Sequence, residues 1–201
     1  MDEGLETATD RVREYTDEEK RALTLNLDAI TSVVYRGDLL TAPPSFQVLK
    51  LFHRRIFEGV RDHGGRHRCR DFGSEYLVVM SRRAPHKNEV EKLCEDVFRR
   101  LDGWMRQLRD PEFRGDYELE SLRACVWTHA ELVRIQPFED GNKRASRLMF
   151  DHIMVCLGHL PIPMEAPRSE YYAALERFFA RSEIGPLVDL YLRLAADQPT
   201  I

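Results

Sequence analysis

Apolar residues recur at spacings of three and four along most of this chain, and the runs are separated by Gly, Pro and capping residues. Leu23, Leu27, Ile30 and Val34 form one stripe, opened by Thr16 ahead of Asp17-Glu18-Glu19 and closed at Gly37, which predicts a first helix over about 17–37. Pro43-Pro44-Ser45 opens a second, with Phe46, Leu49, Phe52, Ile56 and Val60 on one face and Gly64-Gly65 to stop it. Further helices are predicted over about 87–109, 117–135, 142–158, 168–181 and 184–196, with Pro161-Ile162-Pro163 after the 142–158 segment. Within the 168–181 segment, Tyr171-Tyr172 and Phe178-Phe179 read as core and rim of one amphipathic helix.

One stretch breaks the helical period. Asp71-Phe72-Gly73-Ser74-Glu75 is turn chemistry, and Tyr76-Leu77-Val78-Val79-Met80 is short, apolar and β-branched, so residues 68–83 predict a small hairpin. The fold class expected is all-α, a helical bundle carrying one β-hairpin flap. Residues 1–12 are expected to fray, and 13–201 to form a single domain.

Composition narrows the setting. A chain of 201 residues with 43% hydrophobic content can bury one sizeable core, and its formal charge of −4, from 30 basic and 34 acidic residues, gives no global attraction to nucleic acid or anionic membrane. Arg61, Arg66, His67, Arg68, Arg70, Arg82 and Arg83 cluster along the chain without interleaved stacking aromatics, and read as a charged loop rim near an anion site. Cys69, Cys94, Cys125 and Cys156 are widely spaced and form no Cys-x-x-Cys pair. With an acidic start and no apolar run of membrane-spanning length, a cytoplasmic location is expected.

The chemistry concentrates in residues 136–147, Gln-Pro-Phe-Glu-Asp-Gly-Asn-Lys-Arg-Ala-Ser-Arg. Gly141 and Asn142 both tolerate positive φ, so the backbone can turn successive N–H groups into an anion-attracting nest at the start of the helix that begins near Asn142. Lys143, Arg144 and Arg147 add three cations, and Arg144 and Arg147, three apart, share a helix face able to grip one polyphosphate. Asp140 beside bound phosphates would suit Mg²⁺, which needs only one or two protein oxygens. The segment is not a Walker loop. Taken alone, it fits a capped helix followed by surface arginines equally well.

The motif resembles that of the Fic family, the fold of protein AMP-transferases and death-on-curing kinases, whose pattern runs His-Pro-Phe-x-(Asp/Glu)-Gly-Asn-Gly-Arg-x-x-Arg. Pro137, Phe138, Asp140, Gly141, Asn142, Arg144 and Arg147 match it. Trp127–Ile135 is similar to the family's helix entering the loop, and Leu49, His53 and Phe57, followed by Gly65 and Arg68, to its Leu-x-x-x-His-x-x-x-Phe helix and Gly-x-x-Arg turn. The resemblance covers roughly residues 20–195. It implies a Fic-type bundle in which Asp140 holds Mg²⁺ with ATP or another nucleotide donor, Gly141, Asn142, Lys143, Arg144 and Arg147 hold phosphates, Phe138 anchors the loop, and a flap at about 70–83 docks a protein target by strand addition.

Three positions depart from the family. Gln136 stands where the family has the histidine general base, and a neutral amide can orient a hydroxyl but cannot remove its proton. Lys143 replaces the glycine of AMP-transferring members and follows the death-on-curing branch, leaving open which phosphate is transferred. Ser32-Val33-Val34-Tyr35-Arg36-Gly37 matches the frame of the family's inhibitory helix, with Arg36 in place of its glutamate.

His67 and His86, flanking the flap, are the candidate substitute bases, while His129 and His152 read as structural. Two function classes follow. One is a transferase moving a nucleotidyl or phosphoryl group to a hydroxyl with Gln136 placing the acceptor and chemistry altered accordingly. The other is an inactive pseudoenzyme that binds a phosphate ligand.

Overall fold

The computed structural model describes residues 14–162 and 166–196, so the fraying expected over 1–12 lies outside the described residues. Among the described residues the order is α1 (Asp17–Tyr35), α2 (Phe46–Ile56), β1 (Val78–Val79), β2 (Arg82–Arg83), α3 (Val90–Leu108), α4 (Tyr117–Ile135), α5 (Asn142–Cys156), α6 (Arg168–Arg181) and α7 (Gly185–Ala196), with a 3-10 turn at Lys87–Glu89 leading into α3. This is the all-α class with one hairpin that the periodicity predicts.

The caps explain where the helices begin. Thr16 accepts from the N–H of Glu19 while Glu19 returns a carboxylate to the N–H of Thr16, a complete capping box, and Ser45 accepts from the N–H of Val48 at the start of α2. Helix α2 is shorter than its apolar stripe predicts. It ends at Ile56, and Gly59 at φ +71° turns the chain away before Val60, so the stripe continues through a turn and not through helix.

Helix α5 sits at the centre, packed against α1, α2 and α4. Leu148, Met149, Phe150 and Ile153 are buried around most of its circumference, which forces its polar residues to find internal partners. His152 does so at the carbonyl of Ala42, 2.9 Å from Nε2, the structural role expected of it.

The hairpin is shorter than predicted, with Val78 opposite Arg83 and Val79 opposite Arg82. Met80 and Ser81 between them both have positive φ, +50° and +62°, the geometry of a tight hairpin turn usually made by Asn-Gly. Two non-glycine residues in that region cost about 1 kcal/mol or more each. Arg82 ties the flap to α6 by donating to the carbonyl of Phe179 at 3.2 Å.

Candidate functional site

The motif loop is built on a buried platform. Phe138 is fully buried, its ring stacked on His53 with centroids 3.8 Å apart. His53 accepts from the N–H of Gly65 through Nδ1 at 2.8 Å, which fixes the proton on Nε2, and Nε2 reaches the carbonyl of Asp140 at 2.9 Å. Burial keeps this imidazole neutral, lowering its pKa to about 4. Gly141 has φ +72°, and a Cβ there would collide with the ring of Phe57, so both conformation and space require glycine.

Arg68 holds the loop from the other side. Its side chain is fully buried and donates to the carbonyls of Gln136 (2.8 Å), Ile135 (3.0 Å), Ser74 (3.2 Å), Pro85 (3.3 Å) and Glu75 (3.4 Å). It therefore satisfies the last carbonyls of α4 while tying them to both ends of the hairpin segment. The rim expected of the arginine cluster is not what the fold makes. Arg61 pairs with Glu19, Arg66 lies over Phe72, Arg68 is interior, and none of the cluster lines the cavity described below.

Only Gly141 of the expected pair takes positive φ, because Asn142 is already the first residue of α5. The Asn142 side chain is spent on the loop, accepting from the N–H of Phe138 (2.8 Å) and donating to the carbonyl of Phe138 (2.7 Å) and Oε1 of Gln136 (3.0 Å). Gln136 ends α4 in the left-handed region at φ +51°, with Nε2 donating to the carbonyl of Val133 at 2.6 Å. No side chain caps α5, so its first-turn N–H groups and dipole face the cavity uncapped.

That cavity, open and about 820 Å³, lies between four walls. The loop contributes Gln136, Glu139, Asp140 and Gly141; α5 contributes Asn142, Lys143 and Arg144; the hairpin contributes Val78, Val79, Met80 and Ser81; and α6 contributes Arg168, Tyr172 and Glu176. The Asp140 carboxylate accepts from the hydroxyl of Tyr15 and from the N–H of Gly141, and lies 3.5 Å from Arg144. Glu139 is held by the N–H and hydroxyl of Ser74. Lys143 turns to the hydroxyl of Tyr172.

Arg147 is not brought together with Arg144. It pairs with Asp151 at 3.3 Å and lies near the rings of Phe150 and Tyr191, and Asp151 in turn accepts from the hydroxyl of Tyr35 at 3.3 Å. Burial raises the Asp151 carboxyl to about 6 even beside Arg147. Arg36 faces Asp38, so α1 meets this cluster through Tyr35 and brings no extra positive charge.

Arg168 is the cavity cation that sequence reasoning missed, and Tyr172, read there as helix rim, is a wall residue. No local signal marks either, since both reach the cavity only through the packing of α6. Of the histidines, His129 is buried against the hydroxyl of Tyr171 at 2.8 Å, as expected of a structural residue. His67 packs edge-on to Phe46 and His86 caps the turn at Lys87–Glu89, and neither lines the cavity.

In this helical bundle the central helix opens, uncapped, into a cation-bearing cavity under a hairpin. The Fic/DOC family model matches residues 43–154. The chain belongs to the Fic/DOC family. It is 30% identical over 159 residues to a protein adenylyltransferase Fic of Culex quinquefasciatus, covering 76% of this chain and 28% of that protein. A protein adenylyltransferase Fic of Drosophila mojavensis is 35% identical over 93 residues, 40% of this chain and 18% of its own length. The chain thus spans under a third of these relatives. Among solved structures, the Bartonella tribocorum BepC protein with bound AMPPNP superposes at TM-score 0.68 and 14% identity, over 95% of this chain and 94% of that one. A Fic family protein of Desulfovibrio desulfuricans superposes at TM-score 0.66 and 24% identity, over 92% and 54%. No helix among the described residues is long and apolar enough to cross a membrane.

Proposed function

We propose that the cavity binds a nucleotide or other phosphate-containing donor and transfers a nucleotidyl or phosphoryl group from it to a hydroxyl. The observation that carries this reading is the uncapped N-terminus of α5, set by Gly141 and opening with Arg144 into the cavity. The family relatives named as adenylyltransferases support it, as do the Bartonella structures with AMPPNP and, in a Bartonella quintana protein, ADP. The main-chain N–H groups of Asn142 and Lys143 would take an inner phosphate, and Arg144 with Arg168 the outer ones. Arg147 pairs with Asp151 and does not line the cavity, so in this reading it positions α5. A protein target would dock along the flap, where Val78 is exposed and β2 is an edge strand.

Mg²⁺ fits the donor set. Asp140 offers one hard carboxylate at the cavity wall and would hold the ion together with phosphate oxygens and water, in place of its bond from the Tyr15 hydroxyl. The ion would neutralise phosphate charge during transfer.

A second reading, a binding module without turnover, is favoured by one observation: both ends of the Gln136 amide are already hydrogen-bonded, one to Val133 of α4 and the other to Asn142. Label transfer from nucleotide donors with Mg²⁺, followed for the natural chain and for Gln136→His, separates the two. Transfer by the natural chain supports the first reading. Transfer that appears only with histidine supports the second.

A further inference from the structure

Tyr172 stands in the wall of the cavity, and its hydroxyl is hydrogen-bonded to Nζ of Lys143. Lys143 also lies 4.4 Å from the ring centroid, and Arg168, one turn earlier on α6, covers the same ring at 5.3 Å. An ammonium on the hydroxyl and a guanidinium beside it both favour the phenolate over the phenol. The hydrogen bond from Lys143 is the main cause that lowers this phenol below its ordinary value of 10.0, and it outweighs the opposing effect of burial.

The surrounding charges do not cancel that effect. Of the acidic groups on the cavity walls, Glu139 is held by Ser74 and Asp140 by Tyr15 and Gly141, while Glu176 lies one turn along α6. Arg144 adds another cation from α5, and Tyr171, the ring neighbour at 5.6 Å, is kept neutral by burial. The hairpin presents only Val78, Val79, Met80 and Ser81, none of which titrates.

We propose that Tyr172, activated by Lys143, is the proton acceptor of this site, in the place of the imidazole that Gln136 does not supply. The inference rests on the transferase reading and deepens it. The acceptor hydroxyl gives its proton to the Tyr172 phenolate while its oxygen bonds to the phosphorus of the donor. The bond from that phosphorus to the leaving group, pyrophosphate in nucleotidyl transfer or the nucleoside diphosphate in phosphoryl transfer, breaks, and the electron pair stays on the leaving group. Tyr172 then returns its proton to water. Two departures from the family pattern, Gln136 and Lys143, thereby have one account: the base has moved from the loop to α6, and Lys143 sets its acidity.

The test compares the natural chain with Tyr172→Phe, Lys143→Met and the double variant Gln136→His/Tyr172→Phe, assaying label transfer from ATP with Mg²⁺ across pH and ATP binding by calorimetry. Tyr172→Phe is expected to slow transfer by about two to four powers of ten with binding retained. Lys143→Met should move the rising limb of the pH–rate profile to higher pH, and the double variant should recover transfer. Tyrosinate absorbance supplies a readout independent of activity: the step at lowest pH in the natural chain should vanish in Tyr172→Phe. Transfer persisting in Tyr172→Phe, an unchanged lowest titration step, or the label found on Tyr172 itself would overturn the assignment and leave the transferase reading standing. A natural chain that binds ATP yet transfers nothing, or binds none, would overturn that reading and this inference with it.

Discussion

Asn142 donates its side-chain amide to Oε1 of Gln136 at 3.0 Å, so the residue standing where the family has its histidine is part of the loop's internal bracing. The same amide closes two further bonds on the backbone of Phe138, and Asn142 is only 6% exposed. The loop shape and the identity of residue 136 are thereby coupled.

Replacing Asn142 by Ala should be costly for that reason. It strands the buried N–H and carbonyl of Phe138 and frees Gln136, a loss of about 2–4 kcal/mol in unfolding free energy by denaturant titration. Asn142→Asp keeps the acceptor for Phe138 and should recover part of it. Equal stability of the Ala variant and the natural chain would contradict the bracing role.

Arg68→Met should destabilise by about 3 kcal/mol or more, because five main-chain carbonyls lose the buried guanidinium at once, with that of Glu75 keeping the N–H of Lys87 as a second donor. Arg68→Lys should not rescue, since one ammonium cannot span α4 and the hairpin as the planar fork does. A loss under about 1 kcal/mol for Arg68→Met would show that the interior guanidinium is dispensable.

Asp151 gives a pH signature with a defined sign. Its carboxyl is raised from 3.8 to about 6 by burial, so the folded state holds the proton more tightly than the unfolded state. Its contribution is therefore greatest below about pH 4 and is lost as pH rises through about 6, a swing of about 3 kcal/mol. Measured as the unfolding free energy of the natural chain minus that of Asp151→Asn, the difference should fall between those pH values. A difference that stays flat would contradict the buried, proton-holding environment.

His53 should show the opposite slope. Its pKa is lowered from 6.5 to about 4 by burial, so the unfolded chain takes up the proton first and stability falls as pH drops from about 6.5 to 4. Relative to the natural chain, His53→Gln should lose less stability on acidification in that window. Parallel curves for the two proteins would rule out a neutral, load-carrying imidazole under the loop.

Much of this was legible in the chain because the signals are local. Thr16, Ser45 and the three-and-four apolar spacing place helices within a few residues, and the match at Pro137, Phe138, Asp140 and Gly141 locates the loop. What was not legible depends on packing across distant segments. Arg68 reads as one more surface cation until α4 and the hairpin close around it. Arg144 and Arg147 share a face by spacing, yet the buried Asp151, one turn on, draws Arg147 away from the cavity. Arg168 and Tyr172 arrive on a helix whose position no pattern near the motif encodes.

In the proposed transferase, the N-terminus of α5 and Arg144 form the phosphate site. Calorimetric titration of the natural chain and of Arg144→Ala with a non-hydrolysable ATP analogue and Mg²⁺ tests it most directly. The natural chain should bind saturably, and Arg144→Ala about tenfold or more weakly, the loss of one charge-assisted contact. Absence of binding by the natural chain, or equal affinity in the two proteins, would contradict it.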